Sequence, residues 1–477
     1  MTIEHLIHGH SQASPEKTAL ISGGLEITYA GLWKEILKKA SWFSRFAEKG
    51  DRVILSASKS IEFVYAYFGA HLSGMICVPI DPETNATRLG RIMDVAKPKF
   101  VVGELRNHGE VKVIPFEEIS AEDSSEIFGF PDENAVADLL FTTGTTGLPK
   151  GVALTFKNQM AAAVNINTFI GNTADDVELL ALPISHSFGL GRLRCVLSKG
   201  GTLVMLGSFA SMKKFFGEME RCAVTGFGMV PASWAYILKM SGDKIGQFAS
   251  QLRYIEIGSA FMPLENKQKL MQLLPSTRIC MHYGLTEASR SAFISFHDDK
   301  DHLMSVGKPS PNTEIAVFAE DGTPSGAEED GEICVKGDHV CSGYWGENAE
   351  VFEKDFFGDW FRTGDWGHID SSGYVYMVSR KKEIINVGGK KVSPIEVEEV
   401  LDAIDGIEES ACIGIHDDVL GEKVKAFCVC SKDVDFDQVK KILVQNLENY
   451  KVPDCFERVE SLPKTASGKL QRLLLKN

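Results

Sequence analysis

No stretch of this sequence approaches the roughly 18 consecutive apolar residues that a membrane-spanning helix needs, and the opening MTIEHLIHGHSQASPEK has no basic segment leading into an apolar one. Neither a membrane span nor a cleaved leader is expected, and a cytoplasmic location is predicted. Paired metal-binding cysteines are missing too. The ten cysteines are scattered singly, apart from Cys428 and Cys430 in KAFCVCSK, whose spacing puts both on one face of a strand. Reduced, mostly buried thiols are expected rather than a zinc site. Nor is there a surplus of positive charge. With a formal net charge of -15 the chain is a poor match for a nucleic-acid backbone, although a local basic pocket for a small anion stays open. Short internal repeats and low-complexity segments are absent. What is left is 44% apolar and 24% charged, the composition of a globular protein, on 477 residues, enough for two or more domains.

Helical and strand patterns alternate along the chain. SKSIEFVYAYFGAHLSG has helical apolar spacing, MICVPI reads as a strand, TRLGRIMDVAKP as a helix and KFVVGE as a strand, and the alternation recurs from 178 to 282. That order predicts parallel sheets covered by helices. From about residue 312 the pattern turns to short strands with Gly/Asp turns, and charges crowd into MVSRKKEIINVGGKKVSP before a compact α+β pattern. A domain boundary is placed there, giving domains 1–380 and 381–477.

The stretch LLFTTGTTGLPKGV, residues 139–152, ends an apolar strand with residues too small and polar to pack a core. Gly144, Gly147 and Gly151 let the backbone bend until successive N–H groups share one concavity that favours an anion. Thr142, Thr143, Thr145 and Thr146 add hydroxyl donors, and Lys150 adds a positive charge. Polyphosphate fits that set, although the spacing is not that of the Gly-x4-Gly-Lys-Ser/Thr loop. A polar turn between two strands is the plain alternative, because Val152, Ala153 and Leu154 resume an apolar run.

Other stretches carry the same ambiguity. In YGLTEAS, after the strand TRICMH, Tyr283 is suited to stack on a flat ring, Thr286 to hold a phosphate oxygen and Glu287 to hold Mg2+; a helix cap is the alternative. Asp365 in FRTGDWG has the flanking glycines of a group that accepts from a ribose diol, or of an Asx turn. Lys469 in LPKTASGK is a basic turn, ordinarily a solvated one.

Taken in order, FTTGTTGLPKG, PISHSFG, YGLTE, FRTGDWG, SRKKEIINVGGKKVSPIEVE and LPKTASGK resemble the adenylate-forming superfamily of acyl- and aryl-CoA ligases, peptide-synthetase adenylation domains and luciferases. The resemblance runs from ITYAGLW to Lys469, nearly the whole chain. It implies an α/β fold: a large N-terminal domain of helix-covered, mainly parallel sheets with a small β-barrel-like part, and a small mobile α+β C-terminal domain. It also implies that ATP and a carboxylic acid give acyl-AMP and pyrophosphate, after which a thiol takes the acyl group. On this resemblance the loop from Thr142 through Gly144 and Gly147 to Lys150 holds the β- and γ-phosphates. Tyr283 and Gly284 face adenine, with Gly258, Ser259 and Ala260 as the opposite wall. Thr286 contacts the α-phosphate, Glu287 ligates Mg2+, and Asp365 holds the ribose with Arg380 assisting. Lys469 bridges carboxylate and α-phosphate. Lys382 is the hinge, and Gly388 and Gly389 make room for a pantetheine arm when the small domain turns.

His186 in PISHSFG matches a position that gates the acyl pocket, with a core histidine as the alternative. Phe188, Arg192 and His282 match pocket-lining positions. An Arg and a His there predict a small or medium acid with a hydroxyl or carboxylate on its tail, unless Arg192 turns away and pairs with a surface acid. No aspartate follows PISHSFG to pair a substrate ammonium, which disfavours amino acids, and Asn386 replaces a lysine common in aryl-CoA ligases. With eight residues after Lys469, no fused carrier is expected. The acceptor is coenzyme A, or, alternatively, the phosphopantetheine of an acyl carrier protein acting in trans.

Overall fold

The computed structural model describes the chain except for residues 107, 110, 122–127, 144–148, 347–351, 382, 389, 465–469 and 477 and the side chains of 143 and 473. The chain divides into two compact units: Met1–Glu314 with Val335–Phe361, and Ile315–Cys334 with Arg362–Asn477. The boundary at 380/381 read from the sequence falls inside the second.

Among its described residues the first unit holds two sheets. One runs in the order Lys308–Pro309, Ala292–Ser295, Arg278–Tyr283, Tyr254–Ile257, Gly226–Met229, Val177–Leu180, Thr202–Met205, Thr18–Ser22, Leu25–Thr28. Its central strands are parallel, and both edges are antiparallel. The other runs Gly343–Tyr344, Pro149–Thr155, Val136–Thr143, Ile76–Ile80, Arg52–Ser56, Phe100–Val102, parallel from Val136–Thr143 onward. The alternation read from the sequence is therefore a pair of mainly parallel sheets with helices between their strands. Ile76–Ile80 is buried at every position, which is why MICVPI carries no polar alternation.

Several helices begin where a side chain satisfies one of their first free N–H groups. The Ser60 hydroxyl accepts from the Phe63 amide to start Ile61–Leu72, and Asn85 accepts from Arg88 to start Ala86–Ala96. Thr155 and Asn158 cap each other's backbone at the head of Phe156–Ile170, so the strand that leaves the Thr/Gly loop turns at once into a helix. Parallel strands leave their carboxyl ends on a common edge, and ligands of open α/β sheets bind there. Ile257, Tyr283 and Leu180 end strands on that edge of the first sheet, and Ile80 and Thr143 do so in the second.

The second unit contains two antiparallel arrangements. In one, the latter part of Trp360–Ile369 pairs with Val375–Arg380, with Asp365 opposite Arg380 and a register shift between Trp366 and Gly367. A Cβ on Gly367 would lie 1.9 Å from the Tyr376 carbonyl oxygen, so only glycine fits this bulge. The other runs Lys390–Val392, Ile385–Val387, Gly421–Cys430, Ile407–Asp417, with Cys455–Arg458 parallel to Gly421–Cys430. Helices Pro394–Asp402 and Phe436–Asn446 contribute Val397, Leu401, Val439 and Leu443 to its core. Cys428 is buried and Cys430 half-buried on the same strand.

Candidate active site

The strands that flank the Thr/Gly loop pair antiparallel, with Thr142 opposite Lys150 and Thr143 opposite Pro149. Gly144, Thr145, Thr146 and Gly147 lie outside the described residues, as does the Thr143 side chain. The Lys150 ammonium sits 4.4 Å from the centre of the Tyr344 ring. The Tyr344 hydroxyl in turn donates to Glu287 Oε1 at 3.1 Å. Burial, with the Glu287 charge beside it, pushes this phenol well above its ordinary range, so it remains a donor.

The loop carrying Thr286 and Glu287 is pinned from both sides. Cys341 N–H donates to the Glu287 carbonyl at 2.7 Å, Leu285 N–H donates to Ala288, and Ala288 bridges to Val340. Tyr283 is the last residue of its strand, paired with Ala292 and 8% exposed. Beside it, at the end of Tyr254–Ile257, Gly258 has no room for a side chain: a Cβ would fall 2.1 Å from His282 Cε1. Ser259 follows with φ of +74° and an exposed side chain, a left-handed backbone that costs a serine energy. The half-buried Ala260 completes this wall.

Behind the wall lies a buried ionic network. His282 Nδ1 is 2.7 Å from Glu256 Oε1, and Glu256 also meets Arg290 Nε at 3.1 Å and Arg192 Nη1 at 3.2 Å. Burial alone would raise the Glu256 carboxyl, but Arg290 and His282 hold it far below the usual range. His282 is held down by burial, more than Glu256 raises it, and is neutral at pH 7. Its ring meets Phe188 edge-on at 4.6 Å. A Cβ on Gly228 would lie 2.8 Å from Leu182 Cδ1 and 3.3 Å from Phe188, so the floor under Phe188 is bare backbone. His186 precedes helix Ser187–Lys199 at its cap position with its side chain exposed at one edge; the atoms packed around the rest of the ring desolvate it and lower its pKa against the pull of Asp81.

Arg192 corrects the sequence reading. It was expected to lend charge to the acyl pocket or to pair at the surface, yet it is 0% exposed. Its Nε donates to Glu178 at 2.9 Å, its Nη2 to Glu178 and to Asn172 at 3.1 Å, and Nη1 faces Glu256. A guanidinium so neutralised offers no charge to a substrate.

In the second unit Asp365 is fully buried, forms an ion pair with Arg380 Nε at 2.7 Å and has its own amide bound to Thr363 Oγ1 at 3.0 Å. Lys381 pairs with Glu332 at 2.9 Å. Gly388 has φ of +58° and donates its N–H to Leu420 O at 2.8 Å, a turn that glycine takes without strain. Lys382, Gly389 and Lys469 lie outside the described residues.

Tyr344, Glu178, Glu256 and Arg290 were not singled out in the sequence. Single glutamates inside the apolar strands VELL and YIEI were the available signal, because a carboxylate in such a strand must have a partner. The cluster His71, Cys77 and Asp138 has metal-ligand spacing, but the His71 nitrogens are already engaged by Glu4 at 2.8 Å and Asp138 at 3.1 Å.

A carboxylate, a cation and an aromatic ring thus meet near the strand ends, and the chain belongs to the AMP-binding enzyme family, whose model matches residues 8–345. The model of the AMP-binding enzyme C-terminal domain matches residues 396–469. It is an AMP-forming acid–CoA ligase acting with ATP, Mg2+ and coenzyme A. A 2-succinylbenzoate–CoA ligase of Bacillus velezensis is 31% identical over 97% of this chain and 95% of its own. An oxalate–CoA ligase of Arabidopsis thaliana is 28% identical over 99% and 98%. Among solved structures, o-succinylbenzoate CoA synthetase of Bacillus subtilis with ATP and magnesium superposes with TM-score 0.90 at 29% identity, covering 99% of each chain. ATP-bound MatB of Rhodopseudomonas palustris gives 0.91 at 26%, covering 100% and 98%. Among the described residues no helix is long and apolar enough to cross a membrane.

Proposed function

We propose that this chain activates a compact carboxylic acid whose tail carries a hydrogen-bonding group, and that it does so in the cytoplasm. The observation that carries the reading is the Lys150–Tyr344–Glu287 constellation beside Tyr283. Glu287 is a hard oxygen donor whose Oε1 is steadied by Tyr344, which suits Mg2+. The metal would neutralise charge on the phosphates. The Thr142–Lys150 loop receives the β- and γ-phosphates, Thr286 the α-phosphate, and Tyr283 with Gly258–Ala260 the adenine. Asp365, steered by Arg380, takes the ribose hydroxyls. Lys469 stabilises the charge that builds as the carboxylate attacks phosphorus. The second step is a turn of residues 381–477 about Lys382 that brings Gly388 and Gly389 to the thiol.

The acid class follows from the pocket wall. Phe188 supplies an apolar face and His282 a neutral imidazole, while Arg192 is spent on Glu178 and Glu256. The test is ATP–pyrophosphate exchange with acetate, hexanoate, benzoate, hydroxybenzoate, malonate, oxalate and 2-succinylbenzoate, then mass spectrometry with CoA added. The expected result is strongest exchange with an acid bearing a second oxygen function, and a CoA thioester. A clear preference for hexanoate overturns the acid class, and exchange without a thioester moves the acceptor to a carrier protein.

A further inference from the structure

Arg290 follows Glu287 by three residues and is 2% exposed. Its backbone sits at φ of +58°, a conformation a non-glycine residue keeps only when its surroundings impose it. The guanidinium uses both of its edges. Nε donates to Glu256 at 3.1 Å, Nη1 to the Ser187 carbonyl at 2.9 Å and to Ser289 Oγ at 3.0 Å, and Nη2 to the Phe188 carbonyl at 2.9 Å. Its carbon also lies 4.8 Å from the centre of the Phe188 ring. The surroundings are cut to admit it: a Cβ on Gly191 would fall 2.7 Å from Nη1, and a Cβ on Gly284 would fall 2.5 Å from the Arg290 amide nitrogen.

These contacts join three parts of the site. Ser187 and Phe188 begin the helix that His186 precedes; Glu256 holds His282; and Arg290 itself continues the loop of Thr286 and Glu287. That loop has its own anchors at Cys341 and Val340, so its position does not depend on the guanidinium. At the start of the helix the cap residue His186 makes no side-chain capping bond among the described residues.

We propose that Arg290 is a positioning residue for the carboxylic acid: it fixes the Phe188 and His282 wall of the acyl pocket against the nucleotide loop. It touches neither acid nor nucleotide. The statement rests on the proposed use of that wall for the acid, and lysine cannot substitute because one ammonium cannot span a carboxylate and two carbonyls at once.

The experiment compares the full chain with Arg290→Lys and with Arg290→Met/Glu256→Gln, the second removing both buried charges so that no carboxylate is stranded. In acid-dependent ATP–pyrophosphate exchange, kcat/KM for the acid falls about tenfold or more in both. The equilibrium Kd for MgATP without acid stays within about twofold. Hydrogen exchange of residues 185–193 quickens in both, while residues 340–346 are unchanged. Acid kinetics within twofold of the parent, an equal loss of MgATP affinity, or unaltered exchange at 185–193 would each overturn the assignment. A parent with no acid-dependent exchange would sink the proposed function instead, and the hydrogen-exchange comparison would still decide the role of Arg290.

Discussion

Arg192→Met removes a guanidinium held by Glu178, Asn172 and Glu256 and resting 5.5 Å from the centre of the Tyr254 ring. Glu256 keeps Arg290 and His282, but Glu178 is left with the Tyr254 hydroxyl, 2.5 Å away, in a place where it is 0% exposed. Removing one member of a buried pair costs about 3–5 kcal/mol, because the carboxylate left behind has lost both water and partner. Tyr254 still donates to it, which sets the expectation near the lower end. Equilibrium urea unfolding followed through tryptophan fluorescence measures the loss in the first unit, where Trp234 is 1% exposed. Arg192→Met/Glu178→Gln should recover at least half of it, since the stranded charge goes with its partner. The same variants, assayed where they are folded, should keep the parent's rank order of acids. A variant as stable as the parent whose preferred acid changes would refute the reasoning and put the guanidinium in contact with substrate.

Tyr344→Phe keeps the ring over Lys150 and deletes the hydrogen bond to Glu287, a loss of about 1.5 kcal/mol for a charge-assisted bond on a half-buried carboxylate. Half-saturating Mg2+ in the exchange assay should rise by up to about tenfold, and an unchanged value would show the phenol to be idle. Ser259→Gly relieves the left-handed backbone and should stabilise by about 1 kcal/mol in urea unfolding, whereas Ser259→Ala should not. Gly258→Ala forces a Cβ to within 2.1 Å of His282 Cε1, so the ring must leave its place and acid-dependent exchange should fall by about tenfold or more; normal kinetics would mean the wall is not used. His71 gives a pH signature. Burial alone would lower its pKa, but Cys77, Asp138 and Glu4 hold it well above 6.5. Its folded value exceeds its unfolded one, so its stabilisation is complete below about pH 6.5 and is lost as pH rises through the folded value. His71→Gln should therefore flatten the alkaline decline of stability, and parallel profiles from pH 6 to 9 would contradict the imidazolium.

Local chemistry was readable where one stretch of chain carries it. The Thr/Gly loop declares itself through residues that cannot pack a core, and the parallel sheets through apolar runs such as ICVPI. What could not be read are pairings that only folding creates. Arg192 looks like a pocket charge in PISHSFGLGR because nothing nearby in sequence neutralises it; Glu178 lies 14 residues away, on the strand before that helix. Tyr344 reaches Glu287 across 57 residues, and Arg290 reaches Ser187 across 103. The grouping of Ile315–Cys334 and Arg362–Arg380 with the C-terminal residues was equally hidden, since short strands with Gly/Asp turns say nothing about which neighbours they join.

The edge strand Gly343–Tyr344 pairs with Ala153 and Val152, so it belongs to the sheet of the Thr/Gly loop, whereas the Glu287 that its hydroxyl reaches follows the last parallel strand of the other sheet. Glu287 and the loop lysine thus have different parents, and the Tyr344 phenol touches both, beside the backbone ties from Val340 and Cys341 to the Glu287 loop. Segments 139–155 and 340–345 therefore form one inheritable module although nearly two hundred residues separate them. A chimera that imports a relative's phosphate loop without its edge strand would leave Glu287 answering to the wrong sheet, and the two segments have to be exchanged together.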